Sequence, residues 1–421
     1  MPDRVPGALL VAAALAAATS GCAREPERGA PSDAGAAPPP PAASSTAARS
    51  TEGPPSPPAG GSAVDPDPLP EAERRGLPGW IAFISERDGD REVYLIRPSG
   101  EEERRFTRSP TAEYPAGPTP DGKALLLIST EEDPQNDLHL EQFVLQPLNG
   151  GPGKAIGPRG RRARSSSWSP DGRWIVFESD KESFSDIYRM NRDGSGLRRL
   201  TRNAEGNFEP VLSPDGTQIA FVSSRDGDPE LYRMRSDGTR QQRLTAFHRE
   251  DSAPRWSPDG KRLAFLSSRE GRDRVYVMNA DGTHLQALTG PPAEPPPTGL
   301  PPPADAGASP QPPRLPEESQ PVWSPDGTRL AYITGGAGTK ARIWVADVAT
   351  GACTALTGGT HTDEAPAWSP DGRYLAFMSA RVGEPEIYLM RADGTGQTRL
   401  THAKGADWLP SWIPPERQAP R

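Results

Sequence analysis

Acidic side chains recur at one position along the chain, five residues before a tryptophan or its equivalent. A carboxylate or an amide occupies this position in six of seven copies, namely Glu113, Asn207, Asp251, Glu318, Asp363 and Asp407, and Ala163 occupies it in the other. If the copies surround one axis, the carboxylates form a ring near one mouth of a channel and attract a cation or a basic peptide. The alternative is a structural role, in which each side chain accepts hydrogen bonds from the backbone of its own loop, as Asp and Asn do in turns.

Three histidines form a second group of candidate residues. His248, His361 and His402 lie 6, 5 and 8 residues before a proline of the repeat. Imidazoles that meet on one face of a fold can ligate a transition metal, but unequal spacing is also typical of exposed loop histidines without a chemical role. The sequence contains no nucleophile elbow, phosphate-binding loop, H-E-x-x-H or paired-cysteine metal motif. No catalytic residue is predicted, and no cofactor other than a cation at the channel mouth.

A repeated four-residue corner reveals the elements that would position these residues. Ser-Pro-Asp-Gly or its variant Thr-Pro-Asp-Gly begins at residues 119, 169, 213, 257, 324 and 369, with spacings of 50, 44, 44, 67 and 45 residues. Proline suits the second position of such a turn, and glycine accepts the left-handed backbone at the fourth. One strand-like segment leads into the corner and three more follow it, the last of them Arg-Leu-Thr. A period in the forties predicts an all-β propeller with one four-stranded blade per copy.

The two ends of the repeat region complement each other. Residues 80–107 carry the second to fourth strand patterns without a first strand, whereas 409–413 carry an isolated first strand with Trp412 at the expected place. Their pairing would close the ring and remove its open edges. We therefore predict seven blades over residues 79–414, with six as the alternative because the second copy is degenerate. The bulky residue before each corner is predicted to pack between neighbouring blades.

The N-terminus has the features of an export signal. Residues 8–18 are apolar, which is too short a run for a lasting membrane helix but suits a secretory signal. The small residues before Cys22 resemble the cleavage site of bacterial lipoproteins, which implies a signal peptide over residues 1–21 and lipidation of Cys22. An ordinary cleaved signal is the alternative. Ala23 lacks the aspartate that favours inner-membrane retention in enterobacterial lipoproteins, so by resemblance we expect the outer membrane.

Two segments have compositions that argue against a packed core. Residues 22–78 and 290–316 are rich in proline, alanine and glycine and have few large apolar residues, so burial cannot offset their ordering entropy. We predict a disordered tether, a disordered insertion and a short tail at 415–421. The net charge of −8 argues against a general role in nucleic-acid binding, which favours a clustered basic surface.

The repeat pattern Pro-x-Trp-Ser-Pro-Asp-Gly, Ile-Ala-Phe-x-Ser, Ile-Tyr-x-Met, Asp-Gly and Arg-Leu-Thr resembles the TolB-type propeller repeat over about residues 80–414. The resemblance implies a periplasmic, non-enzymatic propeller that binds other envelope proteins. A tether replaces the α/β domain that TolB carries before its propeller, and one more blade is counted. The partners of TolB are therefore not carried over.

Together these patterns predict a monomeric, membrane-tethered, extracytoplasmic interaction scaffold that binds envelope proteins or peptides. It would face the periplasm, with the cell surface as an alternative. A carbohydrate lyase or hydrolase that uses the histidines and carboxylates at the channel mouth is the competing hypothesis. A sensor of a cation or small ligand is the third.

Overall fold

The computed structural model of the protein describes residues 67–133, 138–160, 162–182, 184–288, 317–336 and 339–416. The predicted signal peptide, Cys22, most of the predicted tether and the predicted insertion lie outside these residues. Within the described ranges, no helix is long and apolar enough to cross a membrane.

One short helix and 28 strands make up the regular structure of the described residues. In chain order they are α1 (Glu71–Arg75), β1 (Trp80–Ser85), β2 (Glu92–Ile96), β3 (Arg104–Arg105), β4 (Ala112–Pro118), β5 (Ala124–Asp133), β6 (Leu138–Pro147), β7 (Lys154–Gly160), β8 (Ala163–Trp168), β9 (Trp174–Ser179), β10 (Asp186–Asn191), β11 (Arg198–Arg199), β12 (Asn207–Leu212), β13 (Gln218–Ser223), β14 (Glu230–Arg235), β15 (Gln242–Arg243), β16 (Asp251–Trp256), β17 (Arg262–Ser267), β18 (Arg274–Asn279), β19 (Gln286–Ala287), β20 (Glu317–Trp323), β21 (Arg329–Gly336), β22 (Thr339–Asp347), β23 (Cys353–Ala355), β24 (Asp363–Trp368), β25 (Tyr374–Val382), β26 (Glu384–Arg391), β27 (Thr398–Arg399) and β28 (Asp407–Ile413).

The strands assemble into seven four-stranded antiparallel sheets. Blade 1 contains β1–β3 and the C-terminal strand β28, and blades 2 to 7 each contain four consecutive strands from β4 to β27. In blade 1, β28 pairs with β1, which places Trp412 opposite Ile81. The first strands of neighbouring blades contact each other around the whole ring and surround its axis. The structure confirms the predicted seven-bladed propeller and its closure by the C-terminal strand; the alternative count of six is wrong.

The corner sequence explains why each first strand turns sharply into the second. At the corner of blade 4, the Ser213 hydroxyl donates to Asp215 Oδ1 at 2.6 Å and accepts from the Gln218 amide at 3.0 Å. Gly216 has φ +72°, a left-handed conformation that suits glycine. Each corner therefore satisfies its own polar groups, and this local preference recurs in every copy.

The residue before each corner packs between blades, as predicted. Trp323 and Trp368 are both buried, and each lies in a cluster of apolar side chains that spans two blades. The Trp323 indole N–H donates to the Arg255 carbonyl of the preceding blade at 3.0 Å, and Trp368 donates in the same way to Val322 at 3.1 Å. Each ring thus contributes apolar burial and one hydrogen bond across a blade interface.

The antiparallel topology gives the ring two distinct faces. The corners between first and second strands, and the turns between third and fourth strands, lie on one face, here called the corner face. The connections between second and third strands, and those leading from one blade to the next, lie on the other face, here called the loop face. Both faces follow from the strand order of the seven sheets.

Residues 67–78 form a clasp across the seam between blades 1 and 7, which corrects the predicted extent of the tether. Leu69 is buried, and its backbone N–H donates to the Thr398 hydroxyl of blade 7 at 2.6 Å. Arg74, in α1, donates to the carbonyl of Ser99 in blade 1. The clasp was missed because its two buried leucines, Leu69 and Leu77, stand in a proline-rich context.

A partly exposed ion pair reinforces the clasp. Glu73 accepts hydrogen bonds from the Arg391 guanidinium at 2.6 and 2.9 Å and from the Tyr374 hydroxyl at 2.7 Å. These hydrogen bonds, those from Arg391 foremost, lower the pKa of Glu73. Because Arg391 ends the third strand of blade 7, the pair holds the clasp on the corner face.

Candidate functional site

The predicted acidic ring lies at the start of the first strands, where its members are buried. Their side chains are at most a few per cent exposed, and three of the carboxylates form ion pairs with an arginine at or just beyond the end of the second strand of the same blade: Asp407 with Arg87 at 2.8 Å, Asp251 with Arg269 at 3.1 Å and Asp363 with Arg381 at 3.2 Å. In blade 4, Asn207 accepts from Arg225 at 2.9 Å. The partners are thus arginines rather than the loop backbone.

The arginines of these pairs are themselves held against aromatic rings. Arg269 donates to the Ser267 hydroxyl at 2.7 Å, and its guanidinium lies 4.5 Å from the centre of the Tyr276 ring. Such a cation over a ring gains about 0.5–2 kcal/mol. The Asp–Arg–Tyr arrangement stabilises blades 1, 5 and 7 internally. A ligand-binding role for the ring stays a prediction.

Three members of the ring lack this arginine. Ala163 is apolar, and Glu113 is buried, which raises its pKa to about 7. Glu318 accepts from the Val275 amide at 2.8 Å and has Arg274 at 4.0 Å, while burial raises its pKa. The seven equivalent positions therefore share a place in the fold but not a charge.

The three candidate histidines are exposed and occupy three different connections between blades. His248 precedes β16, His361 precedes β24 and His402 precedes β28. Burial, followed by the charge of Arg399, lowers the pKa of His402. In the described ranges, no group of three or more His, Cys, Asp or Glu side chains is arranged to hold a metal ion. The histidines are not brought together, so they lend no support to the lyase hypothesis.

Three carboxylates on the loop face, beside the predicted ring, have no cationic partner in the part of the chain that the structure describes. Glu250 immediately precedes Asp251, Glu364 immediately follows Asp363, and Asp273 lies in the connection before β18. Burial and then the charges of Asp273 and Asp251 raise the pKa of Glu250, and burial and then Asp363 raise the pKa of Glu364. We call Glu250, Asp273 and Glu364 the acidic mouth.

No basic side chain in the described ranges compensates the acidic mouth. Among the described residues, none donates a hydrogen bond to these three carboxylates, and none forms an ion pair with them. Asp273 is partly buried, and burial and then the charge of Glu317 raise its pKa. Partly desolvated like charges are costly, and a basic ligand that approached them would relieve this repulsion.

A second group of charged residues extends through blades 2 to 5, with three of its members on the first strands of blades 3, 4 and 5. We call this group the channel-wall network, and its members are Glu141, Arg162, Arg164, Glu178, Glu209 and Arg255. The charge of Glu250 contributes to raising the pKa of Glu209, so the mouth and the network are electrostatically connected.

One end of the network is a closely hydrogen-bonded pair. The Arg164 Nε donates to the two carboxylate oxygens of Glu141 at 2.8 and 2.9 Å, and the Ala163 amide donates to Glu141 at 3.0 Å. Burial acts to lower the pKa of Arg164, but the hydrogen bond and charge of Glu141 outweigh it, so the net shift is upward. This pair joins blade 2 to blade 3 and leaves neither charge uncompensated.

The centre of the network passes from blade to blade through backbone amides. Glu178 accepts from the Glu209 amide at 3.3 Å, and Glu209 accepts from the Ala253 amide at 2.6 Å. Both carboxyls are buried, and burial raises both pKa values, that of Glu209 to about 7. Glu209 has φ +52°, a left-handed conformation uncommon for a residue other than glycine.

Arg255 carries the positive charge at the other end. Its Nη1 donates to the Pro254 carbonyl at 2.9 Å. Burial lowers its pKa, and the charge of Glu209 opposes that effect. The guanidinium is partly buried and makes one hydrogen bond in the described structure, so most of its donors are available to another group.

The repeat shows that the fold does not require these charges. Where blade 3 has Glu178, the aligned positions of the other second strands carry Ile84, Ile128, Val222, Leu266, Ile333 and Met378. Where blade 4 has Glu209, blade 6 has Gln320, which accepts the next blade's Ala365 amide at 3.0 Å without a charge. Buried charges that a neutral residue could replace are candidate functional residues.

The sequence analysis did not predict the channel-wall network. It predicted Asp251 and Asp363, which are adjacent in sequence to Glu250 and Glu364 of the acidic mouth, but not Glu250 and Glu364 themselves. A usable signal was present, because Glu178 interrupts a pattern in which every other copy is aliphatic. The signal is weak for Glu209 and Arg255, since the residues on either side of the repeat proline vary among the copies.

Comparison with known proteins places the repeat in a family. A family model described as the TolB beta propeller domain matches residues 139–251 and 318–419. An uncharacterized protein of Agrobacterium fabrum is 30% identical over 124 residues, which cover 29% of this chain and 39% of that protein. The Tol-Pal system protein TolB of Anaeromyxobacter dehalogenans is 30% identical over 143 residues, which cover 33% of this chain and 28% of that protein. The chain thus spans well under half the length of these relatives.

A solved structure with the same architecture belongs to an enzyme. The oligogalacturonate lyase of Vibrio parahaemolyticus superposes with a TM-score of 0.55 at 14% identity, and the match covers 77% of this chain and 88% of the lyase. At that identity the similarity shows a shared fold alone.

Proposed function

Because the chain belongs to the TolB β-propeller family, we propose that it is an interaction scaffold of the bacterial cell envelope that binds a basic segment of another protein at its loop face. The observation that carries the proposal is the acidic mouth. Glu250, Asp273 and Glu364 have no cationic partner among the described residues, and burial, followed by neighbouring like charges, raises the pKa of each.

The channel-wall network extends this surface inward. A basic side chain that enters past the acidic mouth meets Glu209 next, and Arg255 supplies a donor for a carbonyl or carboxylate of the same segment. The network's other carboxylates are already engaged by backbone amides and arginines. This arrangement suits recognition of a mixed polar segment, and every step of it is binding rather than bond-making chemistry.

The scaffold is tested by removing the acidic mouth. A variant with Glu250→Gln, Asp273→Asn and Glu364→Gln should lose most of the proteins that wild type captures by crosslinking in intact envelopes. Three charges near the mouth should change the association rate about tenfold at low salt, with a smaller effect at high salt. Folding should be retained, because the substitutions remove repulsion rather than partners.

The matched control removes the same number of charges from the corner face and the clasp. Glu71, Glu102 and Glu416 are well exposed, with side chains 57%, 62% and 64% accessible, so Gln at these positions should leave capture unchanged. Equal capture by wild type and the acidic-mouth variant would refute the proposed binding surface.

Membrane attachment is the second part of the proposal. We infer that the chain is exported, that Cys22 is lipidated, and that the propeller faces the periplasm from the outer membrane. The family membership and the Cys22 cleavage pattern support this. Metabolic labelling with a palmitate analogue should label wild type but not Cys22→Ser, and the labelled protein should fractionate with outer membranes. Label retained in Cys22→Ser would refute the assignment.

A further inference from the structure

A groove on the corner face of blade 4 is lined by arginines. It has a volume of about 650 Å³ and runs between the corner at Gly216–Gln218 and the turn between β14 and β15. Arg233, Arg235 and Arg240 line it, against one carboxylate, Asp237. Hydrogen bonds from Thr239, followed by the charges of Arg235 and of Arg198 in blade 3, lower the pKa of Asp237.

Two of these arginines have no role in holding the blade together. Arg233 donates to Gln242 at 3.0 Å and to the Ala280 carbonyl at 3.0 Å. Arg235 and Arg240 are exposed, and no hydrogen bond or ion pair links their side chains to another described residue. Two long cationic side chains therefore extend freely beside a fixed third one.

Comparison among the blades shows that the turn does not need these charges. The position of Arg235 carries Asn191 in blade 3 and Asn279 in blade 5. In blade 1 the corresponding Arg97 pairs with Glu102, and in blade 7 Arg391 pairs with Glu73.

The residue in the left-handed conformation of the same turn also shows that the turn does not need an arginine. It carries Arg240 in blade 4, with φ +56°, where blades 1, 3, 5 and 7 have Glu102, Gly196, His284 and Gly396. Blade 4 thus replaces the acidic partner seen in blade 1 by a second arginine, and its pair repels instead of neutralising.

The groove lies on the face from which the N-terminal chain leaves the propeller. The clasp contacts the corner face through Arg74 at Ser99 and through Leu69 at Gly396. Blade 4 lies across the ring from the seam of blades 1 and 7. A membrane to which the N-terminal chain is attached could therefore contact the corner face at two separated places, the clasp and the groove.

We propose that the arginine groove docks the corner face onto an anionic phospholipid surface by binding headgroup phosphates. The orientation rests on the membrane attachment proposed above, whereas the phosphate binding does not. Arginine guanidinium groups match phosphate geometry, and arginines close to an anionic bilayer add to its attraction. One acyl chain gives only marginal membrane binding, so a second, electrostatic contact would make the attachment lasting.

The test measures partitioning of the full chain carrying Cys22→Ser onto vesicles, so that acylation plays no part. Binding to vesicles of phosphatidylcholine with 30% phosphatidylglycerol should exceed binding to pure phosphatidylcholine and should fall as salt rises. Arg235→Asn with Arg240→Gly, residue types that other blades carry at these positions, should lower partitioning onto the anionic vesicles about 25-fold at low salt.

The matched control removes two exposed arginines from the loop face, Arg108→Ser with Arg249→Ser. It has the same net charge as the groove variant and should bind like the Cys22→Ser chain. Equal loss in both variants, or no loss in the groove variant, overturns the proposal. Binding of inorganic phosphate to the groove in preference to chloride at equal ionic strength, by a protein that shows no preference for anionic over neutral vesicles, would assign the groove to a free anion and overturn the lipid docking. Capture of envelope proteins through the acidic mouth should persist in the groove variant, which separates this test from that of the scaffold.

Discussion

Replacing Glu209 by glutamine should stabilise the propeller above neutral pH and should have little effect in acid. Glu209 is buried, accepts the Ala253 amide at 2.6 Å and has its pKa raised from 4.5 to about 7. Glutamine keeps an oxygen for that amide, as Gln320 does for Ala365 in blade 6. The substitution therefore removes the charge and retains the hydrogen bond between blades.

The magnitude follows from the pKa shift. A carboxyl whose pKa is higher in the folded than in the unfolded protein contributes stability below the unfolded pKa, near 4.5 for this group, and loses it as the pH rises through the folded pKa of about 7. This pKa shift corresponds to a contribution of ~3 kcal/mol to the free energy of unfolding. Wild type should lose this amount between pH 4.5 and 8, whereas Glu209→Gln should not.

The assay compares thermal or urea unfolding of Glu209→Gln and wild type from pH 4.5 to 8. The difference between the two isolates Glu209 from the other buried acids, since these titrate in both proteins. We expect near equality at pH 4.5 and an advantage of up to ~3 kcal/mol for the variant at pH 8. Glu102→Gln, on an exposed pair, should follow wild type within about 0.5 kcal/mol. A variant that is less stable than wild type at pH 8 would show that ionised Glu209 is stabilising beside Arg255, and would refute the reasoning.

Two further predictions concern the contacts that recur between and within blades. Trp323→Ala should lower the free energy of unfolding by about 3–5 kcal/mol through lost burial. Trp323→Phe should lower it less, because it keeps an aromatic ring and loses chiefly the hydrogen bond to Arg255. Equal effects of the two substitutions in urea unfolding would contradict the packing role. Asp251→Asn should be tolerated, since Asn207 serves Arg225 in the same way, while Asp251→Ala should cost about 3–5 kcal/mol by stranding Arg269. If Asp251→Asn unfolds the protein, the charge rather than the acceptor is what the blade requires.

The fold could be predicted because its information is local and repeated. The corner, the turn glycines and the period in the forties each specify a blade without reference to distant residues. Closure was predictable for the same reason, since residues 409–413 read as a first strand that lacks a blade. The clasp at 67–78 was not, because its two buried leucines and its polar contacts to residues far along the chain leave no periodic pattern in the sequence.

The site was predicted less well because its meaning depends on register across strands. The positions of Asp251 and Asp363 were found, but their arginine partners lie at or just beyond the end of the neighbouring strand, 18 residues away. The channel-wall network is assembled from residues that each occur in one blade alone, such as Glu178 and Arg255. Residues that occur in a single blade do not contribute to the consensus of the repeat, so an analysis of the repeat pattern does not detect them.

The clasp has a mechanical consequence. Any pull that arrives along the chain from its N-terminal side reaches Leu69 and the Glu73–Arg391 pair before it reaches β1. These few contacts can detach one after another, whereas separating β28 from β1 requires a whole strand pairing to slide at once. Tension on the chain before residue 67 would thus be absorbed by a small, reversible release at the seam, and the closed ring would keep its shape under load.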